Sequence, residues 1–225
     1  MTDTPEKGRF SGYVRAFRKS DNPALSLLRD ILWVAAVVGG IALFLFLVSG
    51  TWPAVVAVES ESMVPNMQVG DLVFVVEEDR FGNLKTWEEG EETGYARFAT
   101  YPDIHGEMPY GDVIIYRPNG EDGVHPIIHR VIRWVDGPSH PGYITKGDNN
   151  RVADQETVYP GIGRIESVKK EWIVGKAWFA IPLVGYLPLH IVEFAIIILI
   201  LMVVHELYLR TRSKESEPVR RGKKR

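Results

Sequence analysis

Two long apolar runs bracket a stretch of short alternating segments. Residues 31–48 (I-L-W-V-A-A-V-V-G-G-I-A-L-F-L-F-L-V) carry no charge, and the uncharged run continues to Val58. About 18–20 apolar residues in a helix cross the hydrocarbon of a bilayer, so a transmembrane helix is expected over 31–50. A cleavable leader has a shorter apolar core and a polar arm far shorter than the 30 residues here. The run is therefore read as a retained signal anchor. The second run lies near 182–209 and is uninterrupted over 194–204, with His190, Glu193, His205 and Glu206 at its flanks. A second span is expected over 187–209, with Pro188 in its first turn.

Between the runs, apolar residues fall in short segments separated by Gly, Pro and Asp. Strands are expected at 54–59, 72–76, 113–117, 127–135, 143–145, 161–168 and 172–177. Residues 77–110 break the pattern, being charged and poorly periodic. A segment of that length inside a domain is read as a functional insertion or a mobile flap. The expected fold is mainly β, one domain over 51–186 flanked by two transmembrane helices.

Charge orients this arrangement. Residues 1–50 hold six Lys/Arg against four acids, and 187–225 hold eight against four. The middle, 51–186, holds 12 Lys/Arg against 21 Asp/Glu, a net of −9. Basic flanks stay on the cytoplasmic side. So 1–30 is read as a cytoplasmic basic arm and 210–225 as a basic cytoplasmic tail, with 51–186 extracytoplasmic. Phe10, Tyr13, Val14 and Phe17 of the arm are candidates for a short helix on the headgroups. The acidic middle argues against a nucleic-acid partner. With no cysteine, the chain has no disulfide, thiol nucleophile or thiolate metal site.

The candidate chemistry starts at V-E-S-E-S-M-V-P-N-M, residues 58–67. Serine is a poor nucleophile unless a base takes its proton and donors hold the developing oxyanion. Ser60 and Ser62 are two apart, and in a strand would share a face. Among the six histidines, His129 stands mid-strand between apolar residues, where a buried ring needs a partner. Lys146 is the second candidate base, ranked lower because it sits beside Gly147-Asp148, where staying charged is easy. Asp148 and Asp154, in K-G-D-N-N-R-V-A-D, are the candidate acids, and spacing does not separate them. For a metal, the same residues are a sparse ligand set. From residue 50 to Ser62 an extended chain reaches at most about 40 Å, so the chemistry would lie close to the bilayer.

S-x-S-M-x-P, then G-D-V-I-I-Y, then H-R-V, then K-G-D-N-N-x-x-x-D, in that order, resembles the type I signal peptidases. Bacterial members carry a lysine base where this chain has His129, and the histidine form resembles the archaeal and endoplasmic-reticulum branch, with a Ser-His-Asp set. The resemblance covers 58–76, 111–117, 127–133 and 143–154. It implies a β catalytic domain related to the self-cleaving repressor peptidases. It implies Ser62 as nucleophile, His129 as base, Asp154 as orienting acid and Asp148 as support, with Asp148 and Asp154 open to exchange. It also implies an oxyanion hole from Ser60 and the Ser62 N–H, and Met63 lining a substrate pocket. No cofactor is implied, and no metal. The implied reaction is cleavage of signal peptides from exported preproteins after small residues at −3 and −1. The implied partners are preproteins, the lipid bilayer and the protein-export channel, and the implied location is the plasma membrane, multi-pass. The insertion and the second span depart from the pattern. Rival functions are a peptidase dedicated to itself or to one membrane protein, a non-catalytic membrane scaffold or subunit, and a metal-binding module.

Overall fold

The computed structural model describes residues 22–137 and 140–215. The expected headgroup helix near Phe10–Phe17 and most of the basic tail lie outside the described residues.

The first helix, α1, runs Pro23–Ser49, starting earlier than the apolar run alone indicates. Asn22 caps it through Oδ1, which accepts the Ala24 N–H at 2.9 Å, and Pro23 takes the first-turn position. Gly50 ends it at φ 76°, a left-handed cap that places its N–H on the Phe46 carbonyl. Among the described residues this is the one helix long and apolar enough to cross a membrane. The domain is tied to its end: the Glu77 N–H reaches the Ser49 carbonyl at 2.9 Å, and the Arg80 guanidinium the Leu47 carbonyl.

Next come β1 (Val55–Ala57), β2 (Leu72–Val76), α2 (Trp87–Thr93), β3 (Val113–Tyr116), β4 (Ile127–Val135) and β5 (Gly142–Lys146). They are followed by the short β6 (Val158–Tyr159) and β7 (Gly163–Arg164), then β8 (Ile173–Ile181), α3 (Tyr186–Leu189) and α4 (Ile191–Glu215). Six strands form one antiparallel sheet in the order β1-β2-β8-β3-β4-β5, while β6 and β7 pair separately. Alternation gives the sheet two buried faces. Val73, Val75, Val113, Ile115 and Ala177 pack on one with Val58, Met63 and Met67. Ile114, Tyr116, Val131 and Tyr143 pack on the other with Ile165 and Val168.

Four expectations change. The segment expected as one strand over 161–168 supplies only β7 and an isolated bridge from Val168 to Tyr143, because Gly161 and Gly163 take positive φ and turn the chain. β8 is longer than expected, reaching Ile181. The insertion is structured: α2 carries a capping box, with Thr86 Oγ1 accepting the Glu89 N–H and Glu89 Oε2 accepting the Thr86 N–H. Pro188 falls in the short α3 rather than in the first turn of a long span, and α4 starts at Ile191.

Candidate active site

Ser60 and Ser62 do not share a strand. β1 stops at Ala57, and Glu61–Met63 form a single 3-10 turn with extended Ser60 before it. The buried side chains of Met63 and Met67 pull this turn onto the core, and the Met63 carbonyl accepts the N–H groups of Asn66 and Met67, both at 3.0 Å. The two hydroxyls nevertheless meet, Ser60 Oγ to Ser62 Oγ at 3.1 Å.

β4 carries His129 and Arg130 side by side, so the two side chains leave opposite faces of the sheet. His129 pairs in register with Ile114, and Arg130 with Val113 on one side and Lys146 on the other. One carboxylate cannot serve both faces, and the chain supplies two. Asp154 meets His129, Oδ2 to Nδ1 at 2.7 Å, both buried. Asp148 meets Arg130 in two contacts, 2.8 and 2.7 Å, and also accepts from Asn66 Nδ2 at 3.0 Å.

Asp154 gathers four donors. Its Oδ2 accepts from Tyr116 Oη (2.8 Å) and Thr145 Oγ1 (2.6 Å) as well as His129, and its Oδ1 accepts from Tyr159 Oη at 2.7 Å. Burial pushes its carboxyl upward. The charge of His129 and the hydrogen bonds from His129, Thr145 and Tyr159 outweigh burial and hold it below the usual carboxylate range. An ionised carboxylate only accepts, so the proton of a neutral His129 sits on Nδ1 and leaves Nε2 as an acceptor.

The loop after β5 brings Nε2 to the serine turn. A Cβ built on Gly147 would lie 2.9 Å from His129 Nε2, 2.9 Å from Asn150 Nδ2 and 2.5 Å from the Ser62 carbonyl oxygen, so only glycine leaves this space open. Asn149 pins the two segments together, its N–H on the Ser62 carbonyl at 2.8 Å and its Nδ2 on the Glu61 carbonyl at 3.0 Å. Ser62 Oγ and His129 Nε2 are not hydrogen-bonded to each other. Both border a cleft of about 710 Å³ whose walls are largely aliphatic, with Val56, Val58, Ile127 and Ile162 among them. Such a site fits an apolar extended ligand with a few polar groups at one end.

A signal peptidase complex catalytic subunit SEC11 from Leptosphaeria maculans is 32% identical over 150 residues, which are 66% of this chain and 69% of that protein. The chain belongs to the signal peptidase family. The subunit from Pyrenophora tritici-repentis is 31% identical over 66% of the chain and 69% of its own length, and that from Schizosaccharomyces pombe 28% identical over 64% and 69%. No family model matches the chain.

In this member of the signal peptidase family, Ser60, Ser62, Met63 and His129 all border the cleft, although Met63 is almost wholly buried and belongs mainly to the core. Asp154 lies behind His129, and Asp148 lies apart from it on Arg130. Lys146 points off the same face as Arg130 and donates to Asp103 at 3.0 Å, away from His129. His125 and His140 are exposed and pair with Glu59 and Glu166, and His105 bonds the Arg151 carbonyl. Among the described residues no cluster of three or more His, Asp or Glu side chains is arranged for a metal ion. The sequence reading missed Arg130, Tyr116, Thr145, Tyr159 and Asn149. Arg130 carried a usable signal: a guanidinium mid-strand among Ile and Val needs a buried acid.

Proposed function

We propose that this protein is a membrane-bound serine endopeptidase that removes signal peptides from exported preproteins, cutting after small residues at −3 and −1. The observation that carries the reading is the buried His129–Asp154 hydrogen bond at 2.7 Å, set behind the cleft that Ser62 borders. In this mechanism Ser62 Oγ leaves Ser60, gives its proton to His129 Nε2 and attacks the scissile carbonyl. Apo hydrogen bonds of this kind are commonly loose and tighten with substrate. Asp154 stabilises the imidazolium, which then protonates the leaving amine. The Ser62 N–H, at the start of a 3-10 turn with no acceptor within it, and the Ser60 hydroxyl hold the oxyanion. Asp148 acts through Arg130 as a structural support. Water releases the acyl-enzyme, and no cofactor takes part.

The edge strand β1 borders the cleft, which favours an extended peptide laid along it. Two membrane spans, 31–50 and 187–209, would hold the domain 51–186 outside the plasma membrane with both termini inside. The second is supported by the 25-residue helix α4 and by the exposed apolar side chains of its described part, Ile196, Leu199 and Val203 among them. The protein-export channel is the expected neighbour.

The test is preprotein cleavage in membranes by wild type, Ser62→Ala, His129→Ala, Asp154→Asn and Lys146→Ala. The first three substitutions are expected to abolish cleavage and Lys146→Ala to spare it. Wild-type cutting by Ser62→Ala rejects the reading, and a dead Lys146→Ala beside an active His129→Ala rejects the assignment of the base.

A further inference from the structure

Tyr159 belongs to two structures at once. Its hydroxyl donates to Asp154 Oδ1 at 2.7 Å, and it is the sole donor to that oxygen among the described residues. The other three donors, Tyr116, His129 and Thr145, all crowd onto Oδ2. Its ring is a wall of the cleft, together with Ile162 from the same β6–β7 hairpin. That hairpin is separate from the main sheet and follows directly on the 3-10 turn Asp154–Glu156. So the segment that carries Asp154 folds back and grips its own carboxylate through a residue facing the cleft.

We propose that Tyr159 is a positioning residue that fixes Asp154 behind His129 through Oδ1 while its ring bounds the peptide-binding cleft. This rests on the reading of Ser62, His129 and Asp154 given above. The physical consequence has a definite sign. The negative charge of a carboxylate is shared by both oxygens, so a donor on Oδ1 draws charge from Oδ2 and weakens the hold on a protonated His129. Removing only the Tyr159 hydroxyl therefore strengthens that hold and makes His129 harder to deprotonate. Releasing Asp154 altogether does the opposite, since an imidazolium without its carboxylate loses its proton more easily.

The other titratable and charged groups around the pair leave this argument intact. Tyr116 from β3 keeps its contact with Oδ2, and burial first, then the Asp154 charge, pushes its hydroxyl well above the usual tyrosine range. Burial and Asp154 push Tyr159 upward in the same way, so both stay neutral donors at any working pH. Arg130 is paired with Asp148, Lys146 with Asp103, and His125 with Glu59. Arg151 and Glu156 border a different groove.

The experiment measures kcat and KM against pH for the full-length protein in detergent, with wild type, Tyr159→Phe, Tyr159→Leu and Ser62→Ala, using a fluorogenic peptide with a small-x-small site. For Tyr159→Phe, which keeps the ring, the acid limb of kcat/KM is expected to move up by about 0.5 pH unit, with KM changed by less than about twofold. Tyr159→Leu is expected to raise KM as well, because it removes the wall. A fluorinated tyrosine at 159 strengthens the same hydrogen bond and moves the limb down, which tests the sign even if the phenylalanine variant folds poorly. An unmoved limb in both replacements, or a downward move in Tyr159→Phe, overturns the proposal. If Ser62→Ala is inactive and the Tyr159 variants keep the wild-type profile, only the role of Tyr159 fails. If Ser62→Ala cuts normally, the underlying reading fails.

Discussion

Arg130 and Asp148 form a two-point ion pair, Nε to Oδ1 at 2.8 Å and Nη2 to Oδ2 at 2.7 Å, with neither side chain reaching water. The guanidinium also donates to the carbonyls of Arg97 and Phe98. It thereby joins the insertion, β4 and the 147–150 loop at one point. Removing the carboxylate leaves a buried cation without a counter-charge, which costs about 3–5 kcal/mol. Asp148→Asn is therefore expected to unfold at markedly lower temperature or denaturant concentration than wild type. An equally stable Asp148→Asn that has lost cleavage would move Asp148 from support into the chemistry.

Asp154→Asn is expected to behave differently. Its oxygen still accepts hydrogen bonds, but its amide nitrogen puts N–H groups among donors and favours the wrong tautomer of His129. In a Ser-His-Asp arrangement that change lowers kcat about ten-thousandfold with little change of structure. Single-turnover cleavage and thermal unfolding, run on both variants, separate the two aspartates. The expected pattern is a stability loss dominating in one and a rate loss in the other.

That division was only half legible in the sequence. His129 stood out as a polar residue in an apolar strand, and two acids followed it. What the sequence hid was the partner of each, because strand alternation sends His129 and Arg130 to opposite faces and that matters only once β5 and its loop are in place. The central strands of the sheet were readable because their apolar runs are bounded by Gly-Asp turns, as at Leu72–Val76 and Val113–Tyr116. The insertion was not, since the four glutamates of its helix (Glu88, Glu89, Glu91, Glu92) hide its amphipathic pattern, and its hold comes from distant groups such as Arg130 and Lys146. Ser60 and Ser62 were expected to share a face of a strand, whereas a 3-10 turn brings their hydroxyls into contact.

Gly147 offers a steric test of the site. Its φ lies outside the left-handed region, so alanine meets no backbone strain, but its methyl group would stand 2.5 Å from the Ser62 carbonyl oxygen and 2.9 Å from His129 Nε2. Serine turn and histidine must then separate. Gly147→Ala is expected to lower kcat by about a hundredfold or more, the scale that a misplacement of about 1 Å produces. The check is whether binding of a non-cleavable signal peptide survives. A variant that cuts at wild-type rate would show that the loop has room to spare.

Stability should fall at both ends of the pH scale. Asp154 is held low against its burial by His129, Thr145 and Tyr159. Asp103, also pushed up by burial, is held low by the hydrogen bond from Lys146, the N–H groups of Glu107 and His105, and the Lys146 charge. The unfolded chain, with carboxyls near 4, takes up protons before the native one does. This stabilisation is therefore complete above about pH 4 and is lost as pH falls toward the lowered native values. Asp103→Asn should flatten the fall in Tm between about pH 5 and 3. At the alkaline end, burial and the Asp154 charge raise Tyr116 and Tyr159. Their contribution is complete below about pH 10 and is lost as pH rises through the raised values.

The capping box of α2 separates the stability of the insertion from the chemistry of the cleft. Thr86 Oγ1 accepts the Glu89 N–H at 3.2 Å, and Glu89 Oε2 accepts the Thr86 N–H at 2.8 Å. Thr86→Ala removes the first and leaves the second, at a cost of about 1 kcal/mol. For a chain of this size that lowers Tm by about 2–4 °C. No residue of the helix lines the cleft, and Arg130 keeps its acceptors at Arg97 and Phe98. Thr86→Ala should therefore melt earlier yet cleave with kcat and KM within about twofold of wild type at temperatures where both are folded. If kcat falls at unchanged fold, the insertion is part of the catalytic apparatus and not merely a brace beside it.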